Sequence, residues 1–471
     1  MKALATLPLC ASLLLAACAV TRVEPPAPYT AAAAYKEGGL WQHAAASPAT
    51  AVPDDWWTLF GDPVLDDLQR RLLTGNESLK SAVTRVASAR AAVEASRAAL
   101  WPTLSAGLAA SRSDDGQAGS SSGSATTVRG PANSVALTAS ASWEIDLWGR
   151  LSQAVGGAQA TLQASADDLA AARLSAQATL AQSYWSLRTA EAQQALLERS
   201  AQAYQRSLDL TQVRYDAGVA ARTDVLQAQT QLKATQAQAL EAAIQRAQLE
   251  HAIATLLGEP PSAVTIARSD RLPEPPGVPA MLPGSLIERR PDIAAARQRV
   301  ATAYAQIGIA DAAYFPSLSL SASAGYSGSS LAHLVSAPNL FWSLGPALAQ
   351  TLFDGGQRRL ASAQARADAD QATATYRQAV LTALQEVEDN LVLADRLQAE
   401  AQLQQEALQA ARHNLDITLE QYRAGTVSYL NVVVAQTSAL SSENSLLGVR
   451  SRQLAAVNQL LKNIAGRWSP A

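Results

Sequence analysis

Cysteine and histidine do chemistry only when they sit in the right company, and this sequence has few of either. Its four histidines, His43, His251, His333 and His413, lie far apart and in no metal-ligand spacing. No Gly-x-Ser-x-Gly elbow, which needs a strand-to-helix turn, and no phosphate-cradling loop can be found. Hydrolytic, metal-assisted and phosphoryl-transfer chemistry therefore lack residues to carry them, so neither an enzyme nor a cofactor is expected. Both cysteines, Cys10 and Cys18, fall at the start of the chain. Lys2 followed by the apolar run 3–17 has the composition of an export signal and is too short for a spanning helix. Removal of that signal takes Cys10 with it. Cys18 is then the one covalent site, with no second thiol for a disulfide.

The run Leu15-Ala16-Ala17-Cys18 resembles the bacterial lipoprotein cleavage box, in which the Cys becomes the first mature residue and carries the lipid. Ala19 rather than Asp follows it, which by the same resemblance implies sorting to the outer membrane. The net charge of −3, from mixed charges, gives no basic face for a nucleic-acid partner. No later segment offers about 18–20 consecutive apolar residues. A chain like this can cross a membrane only as a closed barrel.

The elements that would build such a barrel occur twice. Trp101-Pro102-Thr103-Leu104-Ser105 recurs as Phe315-Pro316-Ser317-Leu318-Ser319, and Tyr215-Asp216-Ala217-Gly218 as Tyr422-Arg423-Ala424-Gly425. Leu147-Trp148-Gly149-Arg150 is echoed loosely by Leu352-Phe353-Asp354-Gly355. Each half starts with a helical stretch, 64–100 or 291–313, stopped by the Trp-Pro or Phe-Pro pair. Period-two segments follow. Leu104, Ala106 and Leu108, then Val135 to Ile145 on odd positions, form an apolar set, and Leu318 to Ala324 with Leu340, Trp342 and Leu344 repeat it. Small polar residues fill the alternate positions, which predicts half-buried strands, two per half.

A very long helix comes next in each half, 151–217 and 356–424. Heptad-like spacing runs through Leu197, Ala201, Tyr204, Leu208, Thr211 and Tyr215, and through Val380, Leu384, Val387, Leu391, Ala394 and Leu397. Gly218 and Gly425 break these helices, and helix resumes over 222–258 and 428–465, giving two coiled-coil hairpins. The predicted organisation is a signal at 1–17, an extended N-terminal segment at 18–63, a first repeat at 64–259, a Pro-rich linker at 260–290, a second repeat at 291–466 and a short tail at 467–471.

With Asp55-Trp56-Trp57-Thr58-Leu59-Phe60-Gly61-Asp62-Pro63, Glu288-Arg289-Arg290-Pro291-Asp292-Ile293 and Tyr422-Arg423-Ala424-Gly425-Thr426, the chain resembles TolC-type outer-membrane factors of the NodT-like efflux lipoprotein branch. Arg297, where that family usually has Glu, is a departure. The resemblance implies a mixed α and β fold: a homotrimer in which each chain gives four membrane strands to one 12-stranded barrel, above a periplasmic tunnel of coiled-coil hairpins. It implies a passive exit duct working with a periplasmic adaptor and an inner-membrane efflux pump of the RND type. The physics agrees in part, since four strands cannot close in lipid and need further copies. Strand count alone allows eight or twelve strands. A duct for type I protein secretion and a coiled-coil structural lipoprotein remain the alternatives, though the latter leaves the alternating strands unexplained.

The resemblance also assigns site residues. Gly218, Val219, Gly425 and Thr426 are adaptor contacts at the hairpin tips. Tyr422 and Asp224 form the hydrogen bond that helps close the periplasmic end. The family's Arg two residues after the second tip Gly is Val427 here, and its two pore-ringing aspartates are Asn431 and Val434. A constriction built from these residues carries no ring of like charge to concentrate cations.

Overall fold

The computed structural model describes residues 24–27, 29, 34–37, 55–114, 131–269, 272–278 and 289–464. Cys18 lies outside the described residues. The chain divides into two compact units, one built around Val86–Ser165 and Ala296–Tyr376, the other around Pro28–Arg85, Ala166–Ala295 and the residues from Arg377 on.

The first unit is organised by a four-stranded antiparallel sheet. Its strands are β1 (Thr103–Ser113), β2 (Ala132–Ile145), β3 (Ser317–Gly328) and β4 (Leu340–Ala349), in the order β1-β2-β3-β4. The pairing of β2 with β3 stitches the two halves of the sequence together. The register puts Leu104, Ala141, Ala322 and Leu344 in one row across the sheet, and Leu108, Leu137, Tyr326 and Leu340 in another. The neighbouring row on the opposite face is Ser105, Ser140, Ser323 and Ser343. Because side chains alternate across a strand, one face is aliphatic and aromatic while the other carries hydroxyls. Hydroxyls bond along the polar face, Ser105 to Ser140 and Ser323 to Ser343, each at 2.8 Å. Below the sheet Trp148 stacks on Phe315 at 4.9 Å, joining the two repeated motifs.

Each long helix starts on a carboxylate. Asp146 accepts from the backbone N–H groups of Leu151 and Ser152 at the start of the helix Arg150–Asp216. Asp354 accepts from Gly356 and Arg358 at the start of Gln357–Arg423. Negative charge at a helix N-terminus is favourable, and these bonds satisfy otherwise orphaned donors. Contact with Arg358 and those N–H groups holds the Asp354 carboxyl down at about 2. The loose echo between residues 147–150 and 352–355 therefore accompanies a shared device, although Asp146 and Asp354 stand three positions apart when the two segments are aligned.

The helices, in chain order, are α1 (Pro63–Gly75), α2 (Glu77–Ala98), α3 (Arg150–Asp216), α4 (Arg222–Leu257), α5 (Pro291–Ala312), α6 (Gln357–Arg423) and α7 (Tyr429–Ile464). The long helices α3 and α6 have 67 residues each, about 100 Å at the α-helical rise. The expected heptad positions are buried or half-buried throughout. The single helix expected over 64–100 is instead two, α1 and α2, broken at Asn76. Asn76 has extended backbone angles, accepts from Leu79 N and donates to the Leu256 carbonyl at 2.7 Å. The break permits a crossing of two chain turns so close that a Cβ on Gly75 would lie 2.1 Å from the Leu257 carbonyl oxygen. No helix among the described residues is long and apolar enough to cross a membrane.

Candidate functional site

Two features of this chain can act on something outside it: the two-faced sheet and the tips of the helical hairpins. On the sheet's apolar face Leu104 and Trp342 are 81% and 75% exposed. Burying such a face inside a single chain would need a second layer, and the sheet has none on that side among the described residues. β1 and β4 each keep one edge without a partner strand among the described residues. An apolar outer face, a hydroxyl-bearing inner face and two open edges are the parts of a barrel wall awaiting further strands.

At the tips, α3 and α6 end in left-handed glycines, Gly218 at φ +77° and Gly425 at φ +80°. The amides beyond each glycine turn back to the last helical carbonyls: Val219 N to Arg214 O and Thr426 N to Gln421 O, both 2.9 Å. Nothing lies within 4 Å of where a Gly218 side chain would begin. Val219 is 65% exposed, and Thr426 is exposed beside its glycine. The four residues expected to meet an adaptor are thus grouped into two bare, outward turns.

The expected Tyr422–Asp224 bond is absent, and the structure corrects it. Tyr422 is buried, with its ring edge-on to Tyr429 at 5.4 Å and its hydroxyl donating to Thr211 Oγ1 at 3.3 Å. Asp224, in the first turn of α4, turns back on its own helix end to accept from Ala221 N at 3.4 Å. Its short side chain serves the local orphan amide, while the packed ring of Tyr422 aims its hydroxyl at α3. Val427 packs against the cluster of Ala228, Tyr422, Tyr429 and Val432. Asn431 is exposed, as is Val434 at 61%.

Sequence reasoning missed three residues of this region. Arg214 donates through Nη1 to the Tyr422 and Arg423 carbonyls, at 2.7 and 3.3 Å, and its guanidinium lies 4.7 Å from the centre of the Tyr422 ring. Thr211 receives the Tyr422 hydroxyl. Tyr429 is 1% exposed, and its hydroxyl has no hydrogen-bond partner among the described residues. Burial, reinforced by the charges of Tyr422, Tyr204 and Asp224, pushes the Tyr429 phenol up. A basic residue in the last turn of a helix was the available signal for Arg214, but it points to its own helix end, and Arg214 caps a different helix.

A third region fixes the segments around these hairpins. Asp62 caps α1 and takes the Tyr184 hydroxyl at 2.6 Å, and Arg188 donates to that same hydroxyl and to Glu191. Glu191 also receives Arg246 Nε and the Ser269 amide. Arg246 and Glu250 in turn hold Ile266 by its carbonyl and its amide. Burial works against the Arg188 charge, yet the bonds to Glu191 and Tyr184 keep its pKa above the ordinary value.

The outer membrane efflux protein family matches this sequence over residues 68–259 and 282–466. The pyoverdine export outer membrane protein OpmQ of Pseudomonas aeruginosa is 33% identical over 468 residues, covering 97% of this chain and 96% of that protein. The probable efflux pump outer membrane protein TtgC of Pseudomonas putida is 30% identical, covering 94% and 91%. Among solved structures, that of the outer-membrane channel OprN superposes with a TM-score of 0.87 at 30% identity, covering 95% of this chain and 100% of the other.

Proposed function

The chain belongs to the outer membrane efflux protein family, and we propose that three copies close the four-stranded sheet into a 12-stranded barrel that serves as a passive exit duct for small molecules. The observation that carries this is the sheet itself, with serine rows on one face, leucine and tryptophan on the other, and both edges open. In lipid the open edges would leave backbone groups unpaired at several kcal/mol each, so strands of neighbouring copies must cover them. The duct lies in the outer membrane and works with a periplasmic adaptor and an inner-membrane pump, which supplies the energy. We assign that pump to the RND type.

Small molecules are the cargo class favoured by the relatives, one of which is named for pyoverdine export and another for an efflux pump. The turns at Gly218-Val219 and Gly425-Thr426 are where the adaptor docks. Their support is their exposure and the absence of a side chain at the glycines, which lets another backbone come close. Cys18 carries a lipid that aids sorting, adding about 0.8 kcal/mol per buried methylene. The repeats 64–259 and 291–466, the linker 260–290 and the segments 1–17, 18–63 and 467–471 are the working division of the chain.

The test is expression with the cognate pump and adaptor in cells lacking their own outer-membrane duct. Drug accumulation should fall with the intact chain and stay high with Trp at both Gly218 and Gly425, although trimers still form. Unchanged accumulation with the intact chain would contradict the duct. Mass spectrometry that finds Cys18 unmodified in the mature chain would remove the lipid anchor without touching the duct.

A further inference from the structure

We propose that Arg214 is the latch of the hairpin tips: it grips the end of α6 from α3, and its release frees the second tip to move. This rests on the duct reading above. The last carbonyls of α6 lack the i+4 amide that completes a helix, although Tyr422 O accepts from Gly425 N at 2.9 Å in the turn beyond. Arg214 takes two of them, from Tyr422 and Arg423, and sets its positive charge at the negative end of the helix. The same guanidinium covers the Tyr422 ring. Thr211, on the preceding turn of α3, holds the hydroxyl at the far end of that ring. One helix therefore grasps one tyrosine by its backbone, its face and its tip.

The grip is built to let go. Arg214 has no carboxylate partner among the described residues, and its Nε is buried without an acceptor. The side chain is half-buried, within reach of water if the carbonyls leave. Releasing it strands no buried anion. The arrangement is also one-sided: the residue before Tyr422 is Gln421, which is exposed and gives the first tip no matching clasp. A Cβ on Gly425 would touch the latch at ordinary contact distance, 3.6 Å from Arg214 Nη2.

The test measures resting conductance of purified trimers in planar bilayers for wild type, Arg214→Ala, Arg214→Lys and Asp224→Ala, with trimer content checked by mild electrophoresis. Arg214→Ala should raise the resting open population about tenfold, as loss of about 1.4 kcal/mol of closing free energy would. Arg214→Lys keeps a cation at the helix end and should recover much of the closure. Asp224→Ala should stay close to wild type. A conductance in Arg214→Ala equal to that of wild type would overturn the latch. So would failure of Arg214→Ala to trimerise, which would make the residue a folding element, or a rise in Asp224→Ala as large as in Arg214→Ala, which would return closure to Asp224. Trimers that conduct in no variant and do not restore export would remove the duct reading and the latch with it.

Discussion

Arg188 and Arg214 lie on the same helix, α3, and each sits over a tyrosine ring, Tyr184 at 4.8 Å and Tyr422 at 4.7 Å. Their surroundings are otherwise opposite. The Arg188 side chain is 5% exposed and faces Glu191, itself 3% exposed, inside a network that runs from Asp62 to Glu250. Arg214 faces only carbonyls and leaves one donor idle. A buried charge whose partners are complete cannot be withdrawn without exposing its counter-ion to an apolar interior. A cation on helix-end carbonyls can be withdrawn into water at modest cost. The same residue type on one helix thus makes a rivet in one place and a clasp in another, and the partner decides which.

Substitutions can break that contrast, and the largest effect should come from Arg188→Leu. It leaves Glu191 buried without one of its two cationic partners and should cost about 3–5 kcal/mol, read as a large loss of folded trimer and of its heat resistance. A cost as small as that of Arg214→Ala would erase the distinction. Glycines offer the same contrast by a different route. Gly258, at φ +72°, has no room for a side chain, since a Cβ would lie 2.2 Å from the Gly75 carbonyl oxygen. Strain and overlap together should make Gly258→Ala cost about 2–4 kcal/mol in thermal unfolding. Gly218→Ala meets only the left-handed backbone and should cost about 1–2 kcal/mol. The smallest effect belongs to Tyr429→Phe, which removes a buried hydroxyl that has no partner and should stabilise the tip by about 1 kcal/mol. Destabilisation there would mean that the hydroxyl is satisfied in the assembled protein.

What the sequence revealed follows from the range over which each signal acts. The strands were legible because Leu104, Ser105 and Ala106 alternate locally, and the long helices because their apolar stripe repeats every three or four residues. Gly218 and Gly425 announced the turns by type alone. The break at Asn76 was hidden because its cause, the Leu256 carbonyl, lies 180 residues away. Arg214 was hidden for the same reason, with its acceptor 208 residues distant. The bond carried over for Tyr422 and Asp224 failed differently: both residue types are present, but Thr211 and Ala221 are nearer partners for them.

Closure of the sheet by neighbouring copies can be decided with paired cysteines. Ser105 and Ser343 share a row but lie on opposite edge strands, three strand spacings or about 14 Å apart, beyond the reach of a disulfide within one chain. Ser105→Cys should be combined in turn with Ser343→Cys, Gly345→Cys and Ala347→Cys, so that the unknown register between copies is covered. After oxidation in intact outer membranes, one pairing should give a ladder of covalent dimers and trimers that stops at three chains. Monomers alone in every pairing, with the chain present in the membrane, would contradict a barrel closed by three copies.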